Sequence, residues 1–333
     1  MNQEKRPRPS RLIVQPDDGA EPVLELIAAA KKSLRTTQFT LDDERFVDAI
    51  VAAHRRGVKA QVMLNPHKSS GERANDATFD RLKRAKVAVQ WTNPRFPVTH
   101  QKSLLIDAQL GLIATFNLSE KYFGETRDHG VITEDPVHLK VMNQAFEADW
   151  KRAAFHPEPG SDLIWSPDNA RLRVAEFIDE ARHQLDIQHP KFVDAPIVDR
   201  IAAARARGVH VRLLCGGKHG LSPWDVADTF SSLRILERLE VKVRRQKHLK
   251  LHAKLVLADG RRALLGSMNI DRSAFDVRRE LGVVLSDEGI VKQLGELFEH
   301  DWHKAEHYVP PDPLALETHD EGELPHDPKF LHE

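Results

Sequence analysis

The chain repeats itself, and that repeat limits its architecture more than any other feature. "HQKSLLIDAQLGLIATFN" begins at His100 and "HAKLVLADGRRALLGSMN" begins at His252, an offset of 252 − 100 = 152. The same offset joins Asp107 to Asp259, Asn117 to Asn269, Asp128 to Glu280 and Trp150 to Trp302. Upstream, "RFVDAIVAAHRRGVKAQVML" (Arg45–Leu64) aligns with "PIVDRIAAARARGVHVRLLC" (Pro196–Cys215), where Gly57 meets Gly208 at an offset of 151. A one-residue gap in a loop accounts for the difference. Two copies of one supersecondary unit are therefore expected, over 21–154 and 168–308. Residues 155–167, rich in proline, read as the linker. Residues 1–20 read as a flexible N-terminus, and the acidic, proline-rich 309–333 as a disordered tail.

Each copy is of the α/β class. Val23–Leu34 and Arg45–Arg56 carry apolar residues at helical spacing, and Gly57 is a helix-stop residue. "VKAQVML" and "KVAVQWT" read as strands. "KSLLID" and "LGLIATF" read as a hairpin around Ala108–Gln109, "HGVIT" as a further strand, and "VHLKVMNQAFEADW" as a closing helix. Helices alternating with short strands imply a buried sheet covered on both faces. Trp150 and Trp302 read as core residues.

Hydrophobic content of 41% with 30% charged residues indicates a folded chain. The 49 basic and 50 acidic residues leave no global charge to draw nucleic acid, only the option of a local patch. A single cysteine, Cys215, excludes an internal disulfide and is compatible with a reducing compartment. The first residues lack an apolar signal segment, and no apolar run reaches the roughly 20 residues of a membrane span. The expectation is a cytoplasmic protein that meets any lipid peripherally, from the water side. The sequence carries no signal for oligomeric state.

The repeated motif places His and Lys two apart at the start of a strand. Residues i and i+2 share a face, so His100 projects with Lys102 and His252 with Lys254. Asn117 and Asn269, on the next strand, reach the same rim. Two such sets meeting across a pseudo-two-fold seam suit phosphoryl chemistry. Lysines and asparagines hold phosphate oxygens, one imidazole attacks phosphorus, and the other protonates the leaving oxygen. Asp128 and Glu280 each stand 28 residues after their own histidine (128 − 100; 280 − 252). A carboxylate on a ring N–H fixes the tautomer and supports imidazolium. A lone His at a strand start is usually a satisfied polar residue, but recurrence of His, Lys, Asp and Asn in one register is hard to explain as filler. Lysine is a poor metal ligand and neither motif has ligand spacing, so no metal and no other cofactor is expected.

These residues resemble the phospholipase D superfamily, whose signature is H-x-K-x4-D, six residues, then G-S-x-N. The second copy matches throughout, at His252, Lys254, Asp259, Gly266, Ser267 and Asn269. The first matches at His100, Lys102, Asp107 and Asn117, with Ala114 and Thr115 in place of Gly-Ser. Thr115 keeps the hydroxyl; Ala114 adds a methyl where backbone is expected to approach the phosphate. The resemblance implies two phospholipase D-like α-β-α repeats in one bilobal monomer, with the active site at the seam. It also implies a metal-independent phosphodiesterase or phosphatidyltransferase with a phosphohistidine intermediate. By family analogy His100 attacks and His252 is acid, then base; the fuller second motif allows the reverse. Asp107, Asp259, Thr115 and Ser267 are expected behind the reacting groups.

The sequence says less about the substrate. "GSMNIDRSAFDVRRELGVVL" (Gly266–Leu285) looks like the Asn-Asp-Arg-Ser…Glu run of bacterial cardiolipin-synthase-like enzymes, which favours a phospholipid headgroup. The alternative is a nuclease, for which the basic "VKVRRQKHLKLHAK" (Val241–Lys254) would be a backbone track. That run fits an anionic lipid surface or a solvated strand edge equally well. A non-catalytic phosphate-binding scaffold ranks last, because His, Lys and Asn are intact in both copies. The loops 65–78 and 216–229 follow equivalent strands and are expected to line the crevice. Leu221 and Trp224 in the second could touch acyl chains, though packing under the loop is the favoured reading.

Overall fold

A computed structural model describes residues 10–314 except Pro159 and Gly220. The first repeat runs β1 (Arg11–Gln15), α1 (Glu21–Ala28), β2 (Ser33–Gln38), α2 (Glu44–Arg55), β3 (Lys59–Leu64), α3 (Asp76–Arg84), β4 (Ala88–Trp91). It continues with β5 (Lys102–Ile106), β6 (Leu110–Ala114), a 3-10 turn (Glu120–Phe123), β7 (Thr126–Thr133) and α4 (Pro136–Trp150). The second repeat begins β8 (Leu163–Ser166), α5 (Ala170–Asp179), β9 (Gln184–Gln188), α6 (Ala195–Ala206), β10 (His210–Cys215), α7 (Pro223–Arg238), β11 (Lys242–Arg245). It closes with β12 (Lys250–Leu251), β13 (Leu255–Ala258), β14 (Arg262–Gly266), α8 (Arg272–Asp276), β15 (Glu280–Leu285), α9 (Glu288–Lys304) and β16 (Glu306–His307).

The strand orders are β1-β7-β6-β5-β2-β3-β4 and β16-β11-β10-β9-β13-β14-β15-β8. Apart from β16, which extends the second, they are strand for strand the same mixed α/β sheet. Within each, β2-β3-β4 and β9-β10-β11 are parallel, and the hairpin strands run antiparallel. Three cores follow. One lies between the first sheet and α1 and α2, holding Val23, Phe46 and Leu104. A second lies between the other sheet and α5 and α6, holding Phe177, Ile201 and Val256. The third joins the repeats: Ile113, Val131 and Phe146 pack with Trp165, Leu265 and Phe298. Each such side chain, fully buried, contributes about 1.5–3 kcal/mol, so the seam is a continuous apolar interior.

Several sequence boundaries move. The expected helix Val23–Leu34 ends at Ala28, and Leu34 lies in β2. The cause is Asp107: its carboxylate accepts the backbone N–H groups of Lys31, Lys32 and Ser33 at 2.7–2.9 Å and draws the chain into a strand. Asp107 and Ala108 both have φ of 54°, forming the tight turn of the hairpin. The N-terminal stretch expected to be flexible contains β1, which pairs with β7 and buries Ile13 and Gln15; residues 1–9 lie outside the described chain. The expected linker contains β8, wholly buried and paired with β15. Both strands lie outside the blocks aligned above, although "LIVQPD" (Leu12–Asp17) repeats as "LIWSPD" (Leu163–Asp168) at an offset of 151. Of the expected tail, 315–333 lie outside the described residues.

Candidate active site

Each histidine strand is held by the opposite repeat. β12, just before His252, leaves its own sheet and pairs in parallel with Thr126–Arg127 of β7. The N–H groups of His252 and Ala253 then donate to the Arg127 carbonyl at 3.2 and 2.9 Å. Reciprocally, Thr99 bridges to Arg279, and the N–H groups of His100 and Gln101 donate to the Arg279 carbonyl at 2.9 and 3.1 Å. The residue after each arginine is a carboxylate. His100 Nδ1 lies 3.0 Å from Glu280 Oε2 and 3.0 Å from the Ser267 carbonyl. His252 Nδ1 lies 2.8 Å from Asp128 Oδ1. Spacing along the chain does not disclose which histidine each carboxylate serves; the structure exchanges them between repeats.

A carbonyl only accepts, so Ser267 fixes the proton of His100 on Nδ1 and leaves the Nε2 lone pair outward. Lys102 and Lys254 fold back so that each Nζ donates to the carbonyl of its own motif histidine at 2.5 Å. Lys102 Nζ also lies 5.0 Å from the Phe39 ring centroid, and Phe39 meets His100 edge-on at 4.6 Å. Tyr122 stands against His252 with ring centroids 4.8 Å apart.

Burial governs the electrostatics. It drives His100 well below its ordinary pKa, helped by the charges of Lys102, Lys254 and Arg278. It lowers His252 to about 4 against the pull of Asp128, with Lys254 acting in the same direction as burial. It lowers Lys254 to about 8 and Lys102 well below the usual lysine value. The two carboxyls differ. Burial raises Glu280 to about 7. Burial also pushes Asp128 upward, but the charge and hydrogen bond of His252, the charge of Lys254 and the Thr115 hydroxyl outweigh it and hold Asp128 below the usual range. Asp128 accepts from Thr115 Oγ1 at 2.5 Å and Thr126 Oγ1 at 2.7 Å, whereas Glu280 has the Ser267 hydroxyl at 2.5 Å. One half of the site is thus built around a stable anion and the other is not.

The other sequence candidates fall into two groups. Asn117 is buried with its Oδ1 unpartnered among the described residues, and Asn269 is half-buried. Thr115 and Ser267 bridge a carboxylate to the backbone of the next strand, accepting from the N–H of His129 at 2.8 Å and of Leu281 at 3.1 Å. Asp107 and Asp259 lie at the far ends of their strands. Asp259 accepts the N–H groups of Arg182, His183 and Gln184, as Asp107 does in the first repeat. The Gly-to-Ala departure has a cause other than phosphate approach. A Cβ at Gly266 would meet Gly282 Cα and the Leu281 carbonyl at 2.5 Å, whereas Ala114 packs into the first core. Trp224 is not packed beneath its loop; it is 57% exposed.

Sequence reasoning passed over Arg127 and Arg279, although they share the offset 279 − 127 = 152. Arg127 Nε donates to Asp301 Oδ2 at 2.8 Å and Nη1 to Asp17 Oδ2 at 2.8 Å. Arg279 Nε donates to Asp149 Oδ2 at 2.9 Å and Nη1 to Asp168 Oδ2 at 3.1 Å. Each arginine ties its own repeat's first strand to the other repeat's closing helix, while its carbonyl holds the other repeat's histidine. Among the described residues no group of three or more His, Cys, Asp or Glu is arranged to hold a metal ion, and no helix is long and apolar enough to cross a membrane.

Two fused α/β repeats that meet at a seam of paired His, Lys and Asn make up one bilobal α/β fold. Residues 23–150 and 174–302 each match the family described as cardiolipin synthase, PLD-like domain, and the chain belongs to that phospholipase D-like family. It is 27% identical over 325 residues to a cardiolipin synthase of Oceanobacillus iheyensis, covering 85% of this chain and 66% of the relative. It is 24% identical over 338 residues to cardiolipin synthase 1 of Staphylococcus aureus, covering 88% and 67%. The chain therefore spans about two thirds of the length of these relatives. Its fold is similar to that of phosphatidylserine synthase from Haemophilus influenzae, with a TM-score of 0.72 at 14% identity over 92% of both chains.

Proposed function

We propose that the protein is a metal-independent phosphodiesterase of the phospholipase D type, a hydrolase or phosphatidyltransferase acting on a phospholipid headgroup through a phosphohistidine. The observation that carries this reading is the exchange of carboxylates, which gathers both His-Lys pairs at one seam. His100 attacks: its Nδ1 proton is fixed by the Ser267 carbonyl, so Nε2 forms the bond to phosphorus. His252 gives its Nε2 proton to the leaving oxygen as the P–O bond breaks, and Asp128 supports the imidazolium. In the second step His252 takes a proton from water or an alcohol, whose oxygen displaces His100 from phosphorus. Burial and Lys254 lower the pKa of His252. A phosphodiester anion between the lysines cancels the ammonium part of that effect and readies His252 to carry a proton.

The phospholipid assignment is supported by the cardiolipin synthases among its relatives. Of the five lysines and arginines between Val241 and His252, two are ion-paired among the described residues, so the run leaves the nuclease reading standing as the alternative. Lys247 meets Glu306 at 2.5 Å, Lys250 meets Glu125 at 2.5 Å, and His248 meets Asp301 at 3.2 Å. Exposed Trp224 is suited to contact with a lipid surface from the water side. The test is a neutral-pH assay in EDTA with phosphatidylglycerol vesicles plus glycerol, alongside single- and double-stranded DNA and RNA. Headgroup release or exchange with intact nucleic acid is expected. Cleaved nucleic acid with intact lipid would make the protein a nuclease, and activity lost to EDTA and restored by metal would overturn the metal-independent mechanism.

A further inference from the structure

The two half-sites are related by pseudo-symmetry but differ at their mouths. At the offset of 152, Tyr122 corresponds to Ala274 and Thr126 to Arg278. Thr126 is buried and spends its hydroxyl on Asp128. Arg278 instead reaches toward Ser69 and Asp271, and its backbone adjoins Arg279, whose carbonyl holds His100. The Arg278 side chain is 15% exposed, and among the described residues its guanidinium makes one hydrogen bond, to Ser69 Oγ at 3.2 Å. Arg278 Nη1 forms a loose ion pair with Asp271 at 3.8 Å, a carboxylate it shares with Lys191 at 3.2 Å and with the Ser273 hydroxyl.

The setting of this guanidinium is fixed from both sides. Ser69 belongs to the loop after β3, whose base is pinned beside His100: Asn65 Oδ1 accepts the N–H of Thr99 at 2.8 Å. On the other side, Arg278 directly precedes Arg279, whose carbonyl holds the His100 backbone. Its charge reaches the site, lowering His100 and Lys102. A guanidinium offers five donors in a planar fork suited to phosphate or carboxylate oxygens. Here it is mostly withdrawn from water, with one donor matched by a neutral hydroxyl, and the equivalent position in the other repeat is Thr126.

We propose that Arg278, set against Ser69, is a second anion-binding point beside His100, which makes the site favour ligands whose reacting phosphate is accompanied by another phosphate. This rests on the phosphodiester reading above and adds a selectivity to it. Whether the companion phosphate is borne by a lipid or by a soluble ligand, the recognising chemistry is the same.

The test is calorimetric binding to the full chain, independent of turnover, with methylphosphonate and methylenediphosphonate as one- and two-anion probes. Wild type is expected to bind the diphosphonate about ten-fold tighter, the scale of one charge-assisted hydrogen bond. Arg278→Gln should reduce that ratio to about two or less, and Arg278→Lys, which keeps the charge, should retain part of it. Circular dichroism melts check that both variants fold. Parallel flotation with cardiolipin or phosphatidylglycerol vesicles at matched phosphate separates the sources. Loss of a cardiolipin preference in Arg278→Gln supports the site with a lipid-borne phosphate, and an unchanged vesicle preference supports it with a soluble one. A wild-type ratio near one overturns the proposal. So does an equal weakening of both probes in Arg278→Gln, which would mean that Arg278 acts only as background charge on His100. Absence of phosphodiester turnover would sink the catalytic reading while leaving the binding ratio to judge this one.

Discussion

Arg279 and Asp149 form a buried ion pair at 2.9 Å that runs from the second repeat to the last turn of the first repeat's closing helix. Arg127 and Asp301 form its counterpart at 2.8 Å in the opposite direction. Removing Asp149 or Asp301 leaves a buried arginine with only its second, more exposed carboxylate, Asp168 or Asp17. Asp149→Ala and Asp301→Ala are each expected to cost about 3 kcal/mol in urea unfolding. Arg279→Met combined with Asp149→Leu should recover part of that loss. A double variant as unstable as the sum of the singles would show that the two residues do not act as a pair.

The two histidines should separate when the leaving group is a good one. His100→Ala and His252→Ala are each expected to lower kcat on a lipid substrate by at least about 10³-fold. With p-nitrophenyl phosphodiesters the leaving oxygen needs little protonation. His252→Ala should then accumulate a phosphoenzyme, visible by intact-protein mass spectrometry, and His100→Ala should not. Accumulation in His100→Ala instead would reverse the roles.

Glu280 and Lys254 both set limits on the alkaline side, one on stability and one on activity. The Glu280 pKa is raised to about 7 by burial, above its ordinary 4.5. Its contribution to stability is therefore full below about pH 4.5 and declines as pH rises through 7. Glu280→Gln should gain stability relative to wild type between pH 5 and 8, as read from denaturation midpoints, while losing activity. Lys254, lowered to about 8 by burial, loses its charge above that pH. The value of kcat/KM should accordingly fall on the alkaline side near pH 8. A plateau to pH 10 would show that the Lys254 charge is not needed.

Gly266→Ala probes packing apart from chemistry. The added methyl would meet the β15 backbone at 2.5 Å. Over-packing of this kind costs about 1–3 kcal/mol. The melting temperature should drop while the affinity for inorganic phosphate in the folded variant stays within two-fold. Loss of phosphate binding without loss of stability would return Gly266 to the phosphate site.

Much of this was legible in the chain because duplication supplied its own control. His100 with His252, and Lys102 with Lys254, were found by register, as was the hairpin that carries each pair. The exchange of Asp128 and Glu280 was not legible, because the spacing of 28 residues joins each carboxylate to its own repeat's histidine, whereas the histidines they serve lie 124 and 180 residues away. Only the docking of two sheets through a shared core decides it. The arginine–aspartate ties did leave a signal, the shared offset of 152, but their charge read as surface until tertiary packing buried them. Strands β1 and β8 also left one, since "LIVQPD" (Leu12–Asp17) repeats as "LIWSPD" (Leu163–Asp168) at an offset of 151, but the match is short and was passed over.

The exchanged carboxylates also bear on what one repeat could do alone. A fragment ending at Trp150 would keep His100, Lys102, Asn117 and Asp128, yet its imidazole would have no carboxylate, and its carboxylate no imidazole. The simplest repair is a second identical fragment related by a two-fold axis, each giving its Asp128 to the other's His100. The full chain is in that sense a dimer written as one polypeptide. That covalent union is what allowed Thr126 and Arg278, Tyr122 and Ala274, to diverge, giving the site two unlike ends where a true homodimer must keep them equal.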